Sequence, residues 1–290
     1  MIFDLELKDG SGVIKNSTET FSFLSFVKHL TFAGVGKYRH PSLIFRYWGI
    51  LFGYFPYWGW GGNHFLLPPF IFNDPTEKAA ISKQIGRAMA DYLSKKIYKS
   101  KINYSYEDAM IIKGHPISGS RPDFYCDNLR QQFAVEAKGF AAHSVSNKKM
   151  NDNKIQSQAG PLLVNFSIAS VAYDLYKNPK VKFHDPLNDN APYDRELSFQ
   201  LRSYYFNSVI DFIELYRFPL TQNNFPDFVS YDFMPFFSPF FPQKFKLLVH
   251  RAIIQRSWES NDWLETIEES QEGNENYYID SDGIGLSIID

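Results

Sequence analysis

The chain has 290 residues, 44% of them hydrophobic and 18% aromatic, which is enough apolar material for one large domain or a core with substantial additions. A single cysteine, Cys126, excludes an internal disulfide and a cysteine-based zinc site. Residues 1–8 lack the basic-then-apolar pattern of a secretion signal, so a reducing cytoplasm is the expected compartment.

The net charge of −2 conceals a division. Residues 257–290 carry ten acidic side chains and no Lys or Arg, which leaves residues 1–256 with all 30 basic residues against 22 acidic ones. That surplus of +8 suits a polyanionic partner, and it also suits an ordinary solvated surface.

In chain order, a short helical pattern near residues 21–30 precedes a segment, 47–73, without Asp, Glu, Lys or Arg. The segment is long enough to span a bilayer, but Gly49, Gly53, Pro56, Gly59, Pro68 and Pro69 interrupt any continuous helix, and no membrane contact is expected. Its Trp48, Tyr54, Phe55, Tyr57, Trp58 and Trp60 fit a core or subunit interface first and a base-stacking surface second.

A helix then starts with Asp74 as cap, Pro75 in the first position and Glu77 in the first turn. Ile81, Ile85, Ala88, Met89, Tyr92 and Leu93 carry the helical period to about residue 99, with Glu77 on the same, core-facing stripe. Strands are expected at 109–113, 123–126 and 133–140, the first two joined through a turn region at 114–120 and the last two through Asp127-Asn128. A helical stretch at 151–159 leads to a buried strand within 162–173. Beyond residue 185 the pattern predicts a helix over 196–218, irregular Pro- and Phe-rich loops over 218–245, and a strand or helix over 245–258. The fold class expected is therefore α/β (α+β), a mixed central sheet flanked by helices with aromatic-rich additions at both ends. The divisions expected are 1–73, 74–183, 184–256 and an acidic tail, 257–290. The tail reads foremost as a disordered solubilising segment. It also reads as a docking segment or a mimic of nucleic acid, and Trp258, Trp263, Tyr277 and Tyr278 point to engagement with another protein or with its own body.

The chemistry-bearing pattern lies on the 133–140 strand. Phe133, Val135 and Ala137 alternate with Ala134, Glu136 and Lys138, so the carboxylate and the ammonium share a face. The hairpin can bring Asp123 close to Glu136. Two converging carboxylates repel unless a cation sits between them, and Mg²⁺, a hard cation that keeps waters for a substrate phosphate, is the natural one. Lys138 could then orient a water or stabilise developing charge.

Arg121-Pro122-Asp123 followed by Val135-Glu136-Ala137-Lys138-Gly139 resembles the PD-(D/E)XK nuclease superfamily, over roughly residues 74–173. The resemblance implies a restriction-endonuclease-like order of helix, three strands, helix and strand. It implies that Asp123 and Glu136 are metal ligands for Mg²⁺, with Mn²⁺ able to substitute, and that Lys138 is the catalytic lysine. Glu77 matches the acidic residue some members place on the preceding helix, and Gln156 or Gln158 the polar residue some place on the following one. The implied activity is phosphodiester hydrolysis, by an endonuclease ahead of an exonuclease and on DNA ahead of RNA, in restriction, anti-phage defence or mobile-element processing. A protein partner or a homodimer is expected.

Glu6-Leu7-Lys8 and Asp152-Asn153-Lys154 have the same acidic-x-Lys spacing without the strand context. Lys95, Lys96 and Lys99 on the first core helix, with Lys148, Lys149 and Lys154 near the second, could contact phosphates, although helix C-termini attract cations anyway. Gly34-Val35-Gly36-Lys37 lacks the spacing of a phosphate loop. His40, His64, His115, His143, His184 and His250 show no metal-ligand spacing, and Cys126 reads as an inert buried thiol. Two other functions compete: a nuclease fold retired to a binding or scaffold role, and an unrelated aromatic-rich interaction protein. Placement of Asp123 and Glu136 on one face, with Lys138 beside them, separates the nuclease from the last.

Overall fold

Phe3 and Leu5 are buried between polar neighbours along β1 (Ile2–Lys8), which turns back antiparallel into β2 (Ile14–Thr20). The computed structural model describes residues 1–35, 41–59, 62, 64–66, 74–185, 191–222, 224–232, 244–258, 260, 262–267 and 276–289. The Ser22 hydroxyl accepts the Ser25 N–H at 3.1 Å and starts α1 (Phe23–Phe32), buried along its whole length. After α2 (Pro41–Tyr54) and a 3₁₀ turn, Phe55–Tyr57, the Asp74 carboxylate accepts the Thr76 N–H at 2.8 Å and Pro75 begins α3 (Pro75–Tyr98). Lys99, in the left-handed conformation at φ 55°, ends it.

There follow β3 (Ile102–Ser105), α4 (Tyr106–Ile112), β4 (Phe124–Asp127), β5 (Gln132–Gly139), α5 (Asn147–Ser157), β6 (Phe166–Tyr173) and β7 (Lys180–His184). One mixed sheet takes the order β2-β1-β7-β6-β5-β4-β3. The strand pairs β3–β4 and β4–β5 are antiparallel, whereas β5 and β6 are parallel and connected through α5. Val135, Ala137, Ile168 and Ala172 belong to the main core, shared with α3 residues Ile85, Ala88 and Met89. On the other face, Met150 of α5 packs on Ala169 and Val171, with Phe140 and Val145 at the margin. Helices therefore flank the sheet on both faces. This is the arrangement expected from parallel neighbours that must be covered on each side.

The chain continues through α6 (Arg195–Tyr216), β8 (Leu220–Thr221), β9 (Phe228–Asp232), β10 (Lys244–His250), α7 (Arg251–Ile254), α8 (Asp262–Thr266), β11 (Tyr277–Ile279) and β12 (Ile284–Ile289). A second, antiparallel sheet takes the order β11-β12-β10-β9-β8. Among the described residues no helix is long and apolar enough to cross a membrane.

Four expectations need correction. Residues 109–112 lie in helix α4, not a strand, because Tyr106, Ala109 and Met110 recur at helical spacing and are buried. The strand falls earlier, at β3. Glu77 is exposed on the first turn of α3, since burial on that stripe begins only at Ile81. Strands β8 and β9 replace irregular loops within 218–232, while 233–243 lie outside the described residues. The acidic tail is not a detached solubilising segment: β11 and β12 complete the second sheet, and β12 pairs with β10 along six residues. The N-terminal strands likewise join the central sheet, with β1 pairing parallel to β7. The uncharged aromatic segment supplies core: Tyr47, Leu51, Trp58 and Phe65 are buried, and Trp58 meets Phe23 at 5.5 Å and Phe65 at 5.4 Å between ring centres. Trp60 lies outside the described residues.

Candidate active site

The β4–β5 register decides where the motif's carboxylates go. Phe124 pairs with Val135, and the Asp123 N–H donates to the Val135 carbonyl at 3.0 Å, so Asp123 stands across from Glu136 at the strand's entry. Lys138 follows two residues along β5, on the same face. Two glycines let α3 lie directly on this strand. A Cβ added at Gly86 would meet the Lys138 carbonyl carbon and oxygen at 2.5 Å, and one at Gly139 would meet the Ser82 carbonyl oxygen at 1.7 Å. Backbone touches backbone there, and this fixes Lys138 against the helix.

Glu136 is fully buried. Its Oε1 is in ion-pair contact with the Lys138 ammonium, while Oε2 has no hydrogen-bond partner among the described residues. Burial, and then the Asp123 charge, push its carboxyl up to about 7 against the pull of Lys138 and Lys83. Asp123 is more engaged. Its Oδ1 accepts from Arg87 Nη1 at 2.7 Å and its Oδ2 accepts the Ala137 N–H at 3.0 Å. The Arg87 guanidinium also lies 4.8 Å over the Phe124 ring. Gly34, at φ 67°, makes room for it: a Cβ there would sit 3.2 Å from both Arg87 Nη2 and the Phe124 ring.

A cleft of about 490 Å³ opens on Asp123, Arg87 and Lys138, lined also by Lys83, Glu107, Arg121 and Gln156 among others, while Glu136 lies buried behind Lys138 and is not part of the wall. Four cations face two carboxylates, which makes the wall receptive to phosphate oxygens. Arg121 Nε donates to Glu107 Oε1 at 2.8 Å, and Gln156 Nε2 donates to the Arg121 carbonyl at 3.3 Å.

Of the residues expected at the site, Asp123, Glu136, Lys138 and Gln156 come together. Glu77 does not line the cleft; α3 instead presents Lys83 and Arg87, one turn apart. None of the six expected phosphate-binding lysines lines it either. Lys95 is buried, with its ammonium 2.6 Å from Asp280 and 2.9 Å from Asp282, and is thereby removed from any nucleic-acid surface. Lys96 pairs with Glu19. Lys99, Lys148 and Lys149 are exposed, and Lys154 is half-buried.

Lys83, Arg87 and Glu107 were missed. The four-residue spacing of Lys83 and Arg87 on one helix was the signal for the first two. Glu107 was hidden because the expected strand at 109–113 began after it, whereas α4 starts at Tyr106.

The residues present fit a divalent cation: Glu136 offers an orphaned buried oxygen, and each Asp123 oxygen keeps a second lone pair. A second group, His29, Asp91 and Asp280, brings ligand atoms within 4.8 Å of one another. By spacing alone it could hold a metal, but two ammonium groups, Lys28 and Lys95, already contact Asp280. His29 is spent on Asp91 at 2.6 Å and the Tyr278 hydroxyl at 2.7 Å. Cys126 is buried, which pushes its thiol up. No known protein family, curated protein or solved structure matches the chain.

Proposed function

We propose that the chain is a Mg²⁺-dependent nuclease of restriction-endonuclease-like fold, hydrolysing phosphodiester bonds in DNA, with RNA as the second candidate substrate. One observation carries the reading: the β4–β5 register sets Asp123 across from Glu136 beside Lys138, and Glu136 keeps an oxygen without a partner. The order α3-β3-α4-β4-β5-α5-β6, with β5 and β6 parallel, supports it apart from the helix α4 set between the first two strands.

Asp123 and Glu136 would hold the cation, which when bound polarises a phosphate oxygen and lowers the pKa of a bound water. Lys138, which contacts Glu136 in the structure, would hold the attacking water or steady the charge growing on the phosphate. Lys83 would neutralise a backbone phosphate along the cleft, with Arg87 and Arg121 joining it as phosphate oxygens take over from Asp123 and Glu107, and Gln156 stiffens the wall through Arg121. Water would add to phosphorus as the bond to the leaving sugar oxygen breaks, the water giving up one proton to solvent and the leaving oxygen taking one, so that a phosphate monoester and an alcohol result.

A second reading, binding without cleavage, has one observation in its favour: Arg87 already neutralises Asp123. Incubation with plasmid, linear and single-stranded DNA and with RNA, in Mg²⁺, Mn²⁺ or EDTA, separates the two. The nuclease reading expects metal-dependent cleavage that EDTA stops and that Lys138→Ala loses while keeping its fold. Binding of nucleic acid with no cleavage in either metal supports the second reading and sinks the first.

A further inference from the structure

A second cavity, of about 670 Å³, lies at the far end of the β4–β5 hairpin from Glu136. The hairpin turn contributes Leu129 and Arg130, the first turns of α6 contribute Arg195, Ser198, Phe199 and Arg202, and Asp262 closes one side. It shares no wall residue with the Asp123 cleft.

Arg202 sets this cavity apart. The residue is only 5% exposed, and its Nε and Nη1 are buried without a hydrogen-bond partner among the described residues. A buried guanidinium without acceptors is among the more costly arrangements a fold can keep, and it calls for an acceptor that the described residues do not supply. Asp127, a buried carboxylate that feels the Arg202 charge, takes its hydrogen bonds from other groups. The Tyr193 hydroxyl lies 3.1 Å from each of its oxygens and shares its one proton between them, the Leu129 N–H donates to Oδ1 at 2.7 Å, and the Ser198 hydroxyl donates to Oδ2. Arg202 acts on Asp127 only through its charge.

The helix terminus is not the acceptor's anchor either, because the Asp194 carboxylate occupies the Leu197 N–H at 3.0 Å. What remains is side-chain chemistry: one buried arginine and two exposed ones, Arg195 and Arg130, against Asp262 on the wall and Glu265, which stands 4.0 Å from Arg130.

We infer that this cavity binds the phosphate group of a small molecule, with Arg202 as the buried anchor and Arg195 and Arg130 closing on the outer oxygens. The planar fork of a guanidinium matches two phosphate oxygens at once, which a lysine in the same place would not do. Phe199, 42% exposed on the same wall, offers an apolar face for an organic group attached to that phosphate, such as the base of a nucleotide. The inference stands apart from the nuclease reading, since either site can fail without the other.

Calorimetric titration of the full chain with inorganic phosphate, adenosine monophosphate and adenosine tests it. Both phosphate probes should bind saturably and compete, and adenosine should not bind. Arg202→Gln and Arg195→Ala should each weaken adenosine monophosphate by about tenfold or more. Circular dichroism and the unfolding midpoint check the fold of Arg202→Gln. If that variant does not fold, Arg195→Ala, a change on the exposed first turn, carries the comparison alone. Equal affinity for the two phosphate probes supports a phosphate anchor whose natural source is the free ion, and tighter adenosine monophosphate assigns the rest to Phe199. The inference is overturned by absence of saturable binding of both phosphate probes, by adenosine binding as well as its monophosphate, or by affinities unchanged in the variants.

Discussion

Glu136 ordinarily would titrate near 4.5, but burial and the adjacent Asp123 charge push it up to about 7. If Glu136 holds a divalent cation as proposed, a proton and that cation compete for the same carboxylate below that pH. The sign follows directly: as pH rises toward 7 the folded protein sheds the proton, and the site becomes a better ligand. Apparent affinity for Mn²⁺ should rise by about tenfold per pH unit between roughly pH 5 and 7 and level off above. Titration of Mn²⁺ into the protein, followed by the electron paramagnetic resonance of the free ion, reads this; a flat profile would remove Glu136 from the ligand set. At this scale the sequence was informative where alternation was strict. Phe133, Val135 and Ala137 against Glu136 and Lys138 leave one way to orient the strand, and the Asp127-Asn128 turn sets the register that returns Asp123. It was uninformative where a side chain's role depends on the far end of another element. Nothing local distinguishes Lys95, buried on Asp280 and Asp282, from Lys99 four residues later, which is exposed. Arg87 reads as an ordinary surface arginine until β4 places Asp123 beneath it.

At Gly86 and Gly139, α3 meets β5 backbone to backbone, with no side chain between them. Gly86 sits against the Lys138 carbonyl and Gly139 against that of Ser82, so the helix is pressed onto the strand that carries both Glu136 and Lys138. A methyl at Gly139 has backbone, not a flexible side chain, in its way. Gly139→Ala should cost about 1–3 kcal/mol of stability and misplace Lys138. A lowered denaturation midpoint together with lost cleavage checks it, and an unchanged midpoint would show that the contact is looser than described. Long elements with good caps were readable, as α3 was from Asp74 and Pro75 to Lys99. Short ones were not. The run at 109–113 has too few residues for period 2 and period 3.6 to separate, and only the tertiary burial of Tyr106, Ala109 and Met110 selects the helix.

Across the whole molecule, the two ends of the chain meet in the interior. Lys28 of α1 and Lys95 of α3 both pair with Asp280 and Asp282, in the turn between β11 and β12, and the Tyr205 hydroxyl donates to Asp282 at 2.6 Å. Burial alone would raise the Asp282 carboxyl, but Lys28 and Lys95 hold it well below the usual range. Burial lowers Lys28 to about 7 despite the Asp282 charge. Removing one partner strands a charge in the core, so Asp282→Asn should cost about 3–5 kcal/mol, measured by urea unfolding at pH 7. A loss below 1 kcal/mol, on the order of a surface pair, would show that the cluster is solvated. Composition could count the ten acids of 257–290 but could not pair them, because the partners lie up to 254 residues away.

The basic surplus of the body is thus spent partly on its own C-terminus. The cations left at the Asp123 cleft are Lys83, Arg87, Arg121 and Lys138. Of these, Lys138 is the one to which the proposed nuclease assigns the most direct part in bond breaking. The rate at which excess protein cuts linear DNA in Mg²⁺, compared between the unaltered chain and Lys138→Ala, tests that assignment. The account predicts a loss of at least about a hundredfold with the unfolding midpoint preserved. Cleavage by Lys138→Ala at the unaltered rate, or no metal-dependent cleavage by either protein, would contradict it.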